Sequence, residues 1–74
     1  MNEKIISILA DYTDVSPEDI TPASKLVEDL NLTSLDVLDM VSAFEEAFDI
    51  EIPDRAIKQM QNVQDIENYL QANA

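Results

Sequence analysis

The 74-residue sequence contains no His, no Cys, no Gly and no Trp, and only four Lys and Arg together. Each absence closes off some chemistry. Without Cys there is no disulfide, and without His or Cys no structural zinc, so neither staple of very small proteins is present. The chain also has no imidazole base and no thiol nucleophile, so any thiol chemistry requires an imported thiol. Lacking Gly, it cannot make the sharp turn of an EF-hand calcium loop. Four bases do not neutralise a run of phosphates, which excludes nucleic acid as a partner and disfavours anionic membrane surfaces. No apolar run approaches the roughly 20 residues that span a bilayer, so no membrane insertion is expected. Met1-Asn2-Glu3-Lys4 has neither the long apolar stretch nor the cleavage site of a signal peptide, and a cytoplasmic location is expected.

What remains is apolar, acidic and helix-forming. Apolar residues make up 46% of the chain, and with no staple they must supply the stability. The length allows one domain over residues 1–74. Only three Pro, with abundant Leu, Ile, Ala, Glu, Asp and Gln, points to an all-α fold. Sixteen acids give a formal charge of −12, for which a basic protein surface is the natural complement.

Apolar spacing divides the chain into helices. Ile5, Ile6, Ile8, Leu9 and Tyr12 predict a first helix over Asn2 to Tyr12. A connection from Thr13 to Thr33 follows, long enough that it must be pinned to the core. Val15, Ile20, Leu26, Val27, Leu30 and Leu32 are the candidate pins, and Ser16-Pro17-Glu18-Asp19 reads as one helical turn. Thr33 is a good N-cap with Asp36 three positions on, so a second helix is expected from Thr33-Ser34 to Phe48. Ile50-Glu51-Ile52-Pro53 is extended, a short helix covers Asp54 to Met60, and a last helix starts after Asn62. The expected fold is a four-helix bundle with a short third helix and a long loop between helices 1 and 2.

The second helix has two unlike faces. Val37, Val41, Phe44 and Phe48 share one side, the core face. The other side carries Leu35, Asp36, Asp39, Ala43 and Glu46, with Met40 at its edge. That pattern fits a docking strip, in which apolar residues give contact area and acids steer a basic partner. It also fits a solvated face with one exposed Leu. From Glu28 to Asp54 there are nine acids and no base, a self-repelling arrangement that recognition explains and folding does not. Ser34 at the helix start is either a second capping residue or a site where a phosphate ester would meet the positive dipole end. Asp36 and Asp39 are i, i+3 neighbours, yet nothing in the pattern buries them as an acid catalyst requires, so no catalytic residue and no metal ligand is assigned.

The stretch Val27-Glu28-Asp29-Leu30-Asn31-Leu32-Thr33-Ser34-Leu35-Asp36 closely resembles the attachment region of acyl carrier proteins, which reads roughly E-D-L-G-x-D-S-L-D. The resemblance continues through Phe44 to Asp54, close to that family's E-E-x-F-x-x-x-I-P-D, and through Val63 to Leu70. It implies a carrier, not an enzyme, whose Ser34 receives 4′-phosphopantetheine from coenzyme A and whose arm holds acyl groups for fatty-acid, polyketide or related lipid biosynthesis. It further implies a phosphopantetheinyl transferase and acyl-transferring or synthase enzymes with basic docking patches as partners of a monomeric carrier. Leu35, Asp36, Asp39, Met40 and Glu46 match the family's partner-binding positions, and Val37, Val41, Phe44, Ile52 and Ile57 its acyl cavity. An aminoacyl or peptidyl carrier, and an acidic adaptor without the arm, are the alternative readings. Two positions depart from the pattern: Asn31 replaces the usual Gly and Thr33 the usual Asp. Asn tolerates a left-handed backbone, so Asn31 is expected to keep the turn.

Overall fold

α1 (Glu3–Ala10) starts where the Asn2 side chain accepts a hydrogen bond from the Lys4 N–H at 2.7 Å, and it buries Ile5 and Leu9. It ends two residues before the predicted Tyr12. Asp11 and Tyr12 bond back to Ile8 and Leu9 in tighter i→i−3 turns, as helix ends commonly do. The computed structural model describes residues 2–73. Its further elements are a 3₁₀ turn (Pro17–Asp19), α2 (Ser34–Phe48), α3 (Asp54–Gln59) and α4 (Val63–Asn73). This is the expected helical bundle, with a short third helix and a long first connection.

That connection is held at several points. Ile20, Leu26, Leu30 and Leu32 are buried and Val15 is half-buried against the core. Val27, predicted to pin the loop, is instead 63% exposed. The reason is local: Leu26 and Leu30 already point inward, and the residue beside an inward-facing Leu has nowhere to go but out. The loop also makes backbone bonds to the junction between α3 and α4. Lys25 and Asn62 form an isolated antiparallel bridge, Leu26 N–H donates to Gln61 O, and Val63 N–H donates to Ser24 O. Asn31 adopts φ 57°, so Asn does supply the left-handed turn in a chain without Gly.

One apolar cluster joins α1, the loop, α2, α3 and α4, with Leu9, Met40, Val63 and Ile66 fully enclosed. α4 is capped as its sequence predicts: Asn62 Oδ1 accepts from the Asp65 N–H at 2.9 Å, and Asp65 Oδ2 accepts from the Gln61 and Asn62 N–H groups. Among the described residues no helix is long and apolar enough to cross a membrane.

Candidate functional site

Ser34 is exposed and is the first residue of α2. The capping box predicted around it is complete. Thr33 Oγ1 accepts from the Asp36 N–H at 3.2 Å, and Asp36 Oδ2 accepts from the Thr33 N–H at 3.0 Å. Reciprocal bonding of this kind fixes the entry of the chain into the helix. The Ser34 hydroxyl takes no part in either bond, so capping is accomplished without it. It stands in solvent at the positive end of a 15-residue helix, where a phosphate ester is electrostatically favoured. Asp36 opposes this attraction in part, because its carboxylate sits on the same helix end.

Beyond Ser34 the helix divides much as its periodicity predicts, with one correction. Leu35 is 73% exposed, and Asp39 and Glu46 are also exposed. Asp36 is half-buried, its carboxylate occupied by the cap. Met40 was expected at the edge of the docking strip and is 0% exposed in the structure. α2 is enclosed on both flanks, so its buried arc is wider than one core-facing side. On one flank Tyr12 Oη donates to Asp39 O and Lys4 Nζ donates to Ala47 O; on the other, Glu45 Oε2 accepts from the Ile52 N–H at 2.8 Å. Met40 therefore belongs to the core and is removed from the strip.

Two exposed apolar residues near Ser34 escaped the sequence reading. Leu38, 49% exposed, lies three positions after Leu35, and Val27, 63% exposed, lies on the adjoining loop. The signal for Leu38 was available in the wheel: at about 100° per residue it falls between Leu35 and the core edge. For Val27 there was no signal, because a loop has no period.

Of the residues expected around an acyl chain, Val41, Phe44 and Ile52 are buried in the central cluster, with Val37 and Ile57 half-buried against it. Val37 also lines a 190 Å³ pocket with Leu26, Val27 and Met60, walled on the outside by Lys25, Glu28 and Gln61. All five thus lie in or against one apolar cluster, and of the five Val37 alone lines that pocket.

The end of α2 shows how the acidic chain is held. Asp49 adopts a left-handed conformation (φ 53°, ψ 51°), and Ile50 N–H reaches back to Glu45 O at 3.2 Å. No base lies in the last turn. The missing cation comes from α1 instead: Lys4 Nζ is 2.9 Å from Ala47 O and lies 5.0 Å from the centre of the Phe48 ring.

A protein family described as the phosphopantetheine attachment site matches residues 3–70 of this chain. The acyl carrier protein of Syntrophobacter fumaroxidans is 47% identical over 73 residues, covering 99% of this chain and 90% of that protein. That of Akkermansia muciniphila is 41% identical over 71 residues, covering 96% of this chain and 89% of that protein. Among solved structures, the acyl carrier protein of Enterococcus faecalis superposes with a TM-score of 0.83 at 25% identity, covering 96% of this chain and 90% of that one.

Proposed function

Because this chain belongs to the acyl carrier protein family, matched across its phosphopantetheine attachment region, we propose that Ser34 is the residue that takes the 4′-phosphopantetheine arm. The protein is a carrier and not an enzyme, with a role in fatty-acid biosynthesis. The observation that carries the assignment to Ser34 is its position: an exposed hydroxyl at the first residue of α2, left out of a capping box made wholly by Thr33 and Asp36. When bound, the arm supplies a terminal thiol that holds acyl groups as thioesters, chemistry for which this chain has no side chain of its own.

The chain's own residues then do three things. Thr33 and Asp36 fix the backbone at the helix entry, so Ser34 is presented to a transferase from a defined position on the helix end. Leu35, Asp39 and Glu46, joined by Leu38 and flanked by the half-buried Asp36, present apolar contact inside an acidic field, suited to enzymes with basic docking patches. Val37, Val41, Phe44, Ile52 and Ile57, which lie in or against the central apolar cluster, are the residues among which an acyl chain would withdraw from water, with the pocket beside Val37 as the proposed point of entry. The partners in this reading are a phosphopantetheinyl transferase and acyl-transferring or synthase enzymes.

The test is covalent. Incubation with coenzyme A, magnesium and a broad-specificity phosphopantetheinyl transferase should add a single arm, mapped by peptide mass to Ser34. An unmodified mass under conditions that convert a control carrier, or an arm that persists in Ser34→Ala, would remove the proposal.

A further inference from the structure

Of the four bases in the chain, Lys25 is the one that lines the 190 Å³ pocket beside Val37. Its backbone is firmly placed. It bridges to Asn62, its N–H donates to Asp29 Oδ2 at 2.8 Å, and its carbonyl accepts from the Asp29 and Leu30 N–H groups. The ammonium therefore swings from a fixed base on a flexible four-carbon stem. In this structure it pairs with Glu28 at 3.3 Å, and the two side chains are 58% and 70% exposed. Exposed pairs of this kind contribute little, so the ammonium is free to exchange one anion for another. Two nearby carboxylates do not compete for it, because Asp29 is bonded to the Lys25 N–H and Asp36 to the Thr33 N–H.

Ser34 and Lys25 are both neighbours of Val37, Ser34 along the helix and Lys25 across the pocket. Ser34 and Val37 are i, i+3 positions of α2, which puts their Cβ atoms about 5–6 Å apart. A phosphodiester on Ser34 brings a further negative charge into a region that already holds Glu28 and Asp36. The start of α2 favours that charge through its N–H groups. An ammonium adds a charge-assisted hydrogen bond, which the backbone alone does not supply.

We propose that Lys25 is a positioning residue for the arm: its ammonium turns from Glu28 to the phosphodiester and holds the root of the arm over the Val37 pocket. This rests on Ser34 being the attachment residue. The next group along the arm is an apolar gem-dimethyl carbon, a few bonds beyond the phosphate, and Val27 and Val37 offer it apolar walls at that pocket. With its first part held there, the rest of the arm starts from the pocket's mouth instead of sweeping freely through solvent. Glu28 is the counter-ion that occupies Lys25 before the arm is added and competes with the phosphate afterwards.

The experiment uses the full chain, apo and loaded with the arm, and reads NMR signals at low salt. Loading should shift the side-chain nitrogen signal of Lys25 more than that of Lys4, which is held at the other end of α2. In the loaded form, cross-relaxation between the gem-dimethyl protons and the Val37 methyls should fall about twofold or more in Lys25→Gln. Lys25→Arg should keep it, and Glu28→Gln, which releases the ammonium, should raise it. Arg55→Gln removes the same charge from the groove shared with Asn68, Tyr69 and Asn73, and should leave it as in the parent. Added salt should shrink the difference between the parent and Lys25→Gln. An unshifted Lys25 signal, read on the parent and so independent of how any variant folds, would overturn the inference. So would an unchanged Lys25→Gln, or an equal loss in Arg55→Gln. In each of those cases a single arm mapped to Ser34 would still stand, whereas a parent chain that no transferase loads would take both proposals down.

Discussion

Asp49 offers a direct test of how α2 is terminated in a protein without Gly. It combines two unfavourable features at one position: a left-handed backbone on a residue with a Cβ, and a carboxylate at the negative end of a helix whose last turn holds no base. The backbone cost of the left-handed region is roughly 1–2 kcal/mol for ordinary L-residues, and smaller for Asp and Asn. The charge contributes about 0.3–1 kcal/mol against stability at low ionic strength. Asp49→Asn keeps the backbone tolerance and removes the charge, so it should stabilise by about 0.3–1 kcal/mol. Asp49→Gly also removes the Cβ, while freeing the unfolded chain by about 0.4–1 kcal/mol, and should gain about 0.5–1.5 kcal/mol. Asp49→Ala removes the charge but keeps a poor left-handed residue, so it should fall about 1 kcal/mol below Gly. Urea melts of the four forms at low and high salt separate the two effects. The advantage of Asn over Asp should fade with salt, whereas the gap between Gly and Ala should persist because it is steric. In thermal melts 1 kcal/mol corresponds to about 4–8 °C for a domain of this size. Equal stability of Gly and Ala would mean that α2 does not end in a left-handed residue, and the account of its C-terminus would fail.

Other outcomes follow from the two faces and the cap of α2. Leu35→Ala, Asp39→Lys and Glu46→Lys should each alter stability by under about 1 kcal/mol while slowing turnover by partner enzymes. Phe44→Ala should cost about 3–5 kcal/mol and Met40→Ala about 2–5 kcal/mol, both read by denaturant melts. A Met40→Ala as mild as Leu35→Ala would return Met40 to the surface. Thr33→Asp preserves a capping oxygen and adds a carboxylate in the residue before Ser34, a charge suited to a transferase's magnesium or basic groups. It should raise the rate of arm transfer at limiting carrier and leave stability within about 1 kcal/mol. An unchanged or lower rate would show that Thr33 already suits its own transferase, and would shift attention to Asn31 and Leu32.

Much of this molecule is determined by sequence alone, wherever the cause is local. Thr33 and Asp36 are three residues apart, and the bonds that close their capping box span no more than that. The same holds for Asn62 and Asp65 at α4. Asn31 takes the left-handed turn because no Gly is present to do so and few other residues tolerate it. Ser34 is therefore legible as a hydroxyl at a helix start without any knowledge of the core. The tertiary structure decided what depends on neighbours. A helical wheel ranks residues by angle but cannot say how much of the circumference is covered. α1 on one flank and the Ile52 segment on the other widened the buried arc of α2 until it enclosed Met40, and the strip narrowed to Leu35, Leu38, Asp39 and Glu46. Val27 turned outward because Leu26 and Leu30 had taken the inward positions of an aperiodic loop. Lys4 found the end of α2 across 43 residues of chain, supplying a cation that the helix's own sequence does not contain. Such contacts join residues with no fixed spacing between them, so periodicity and local chemistry carry no trace of them before the chain has folded.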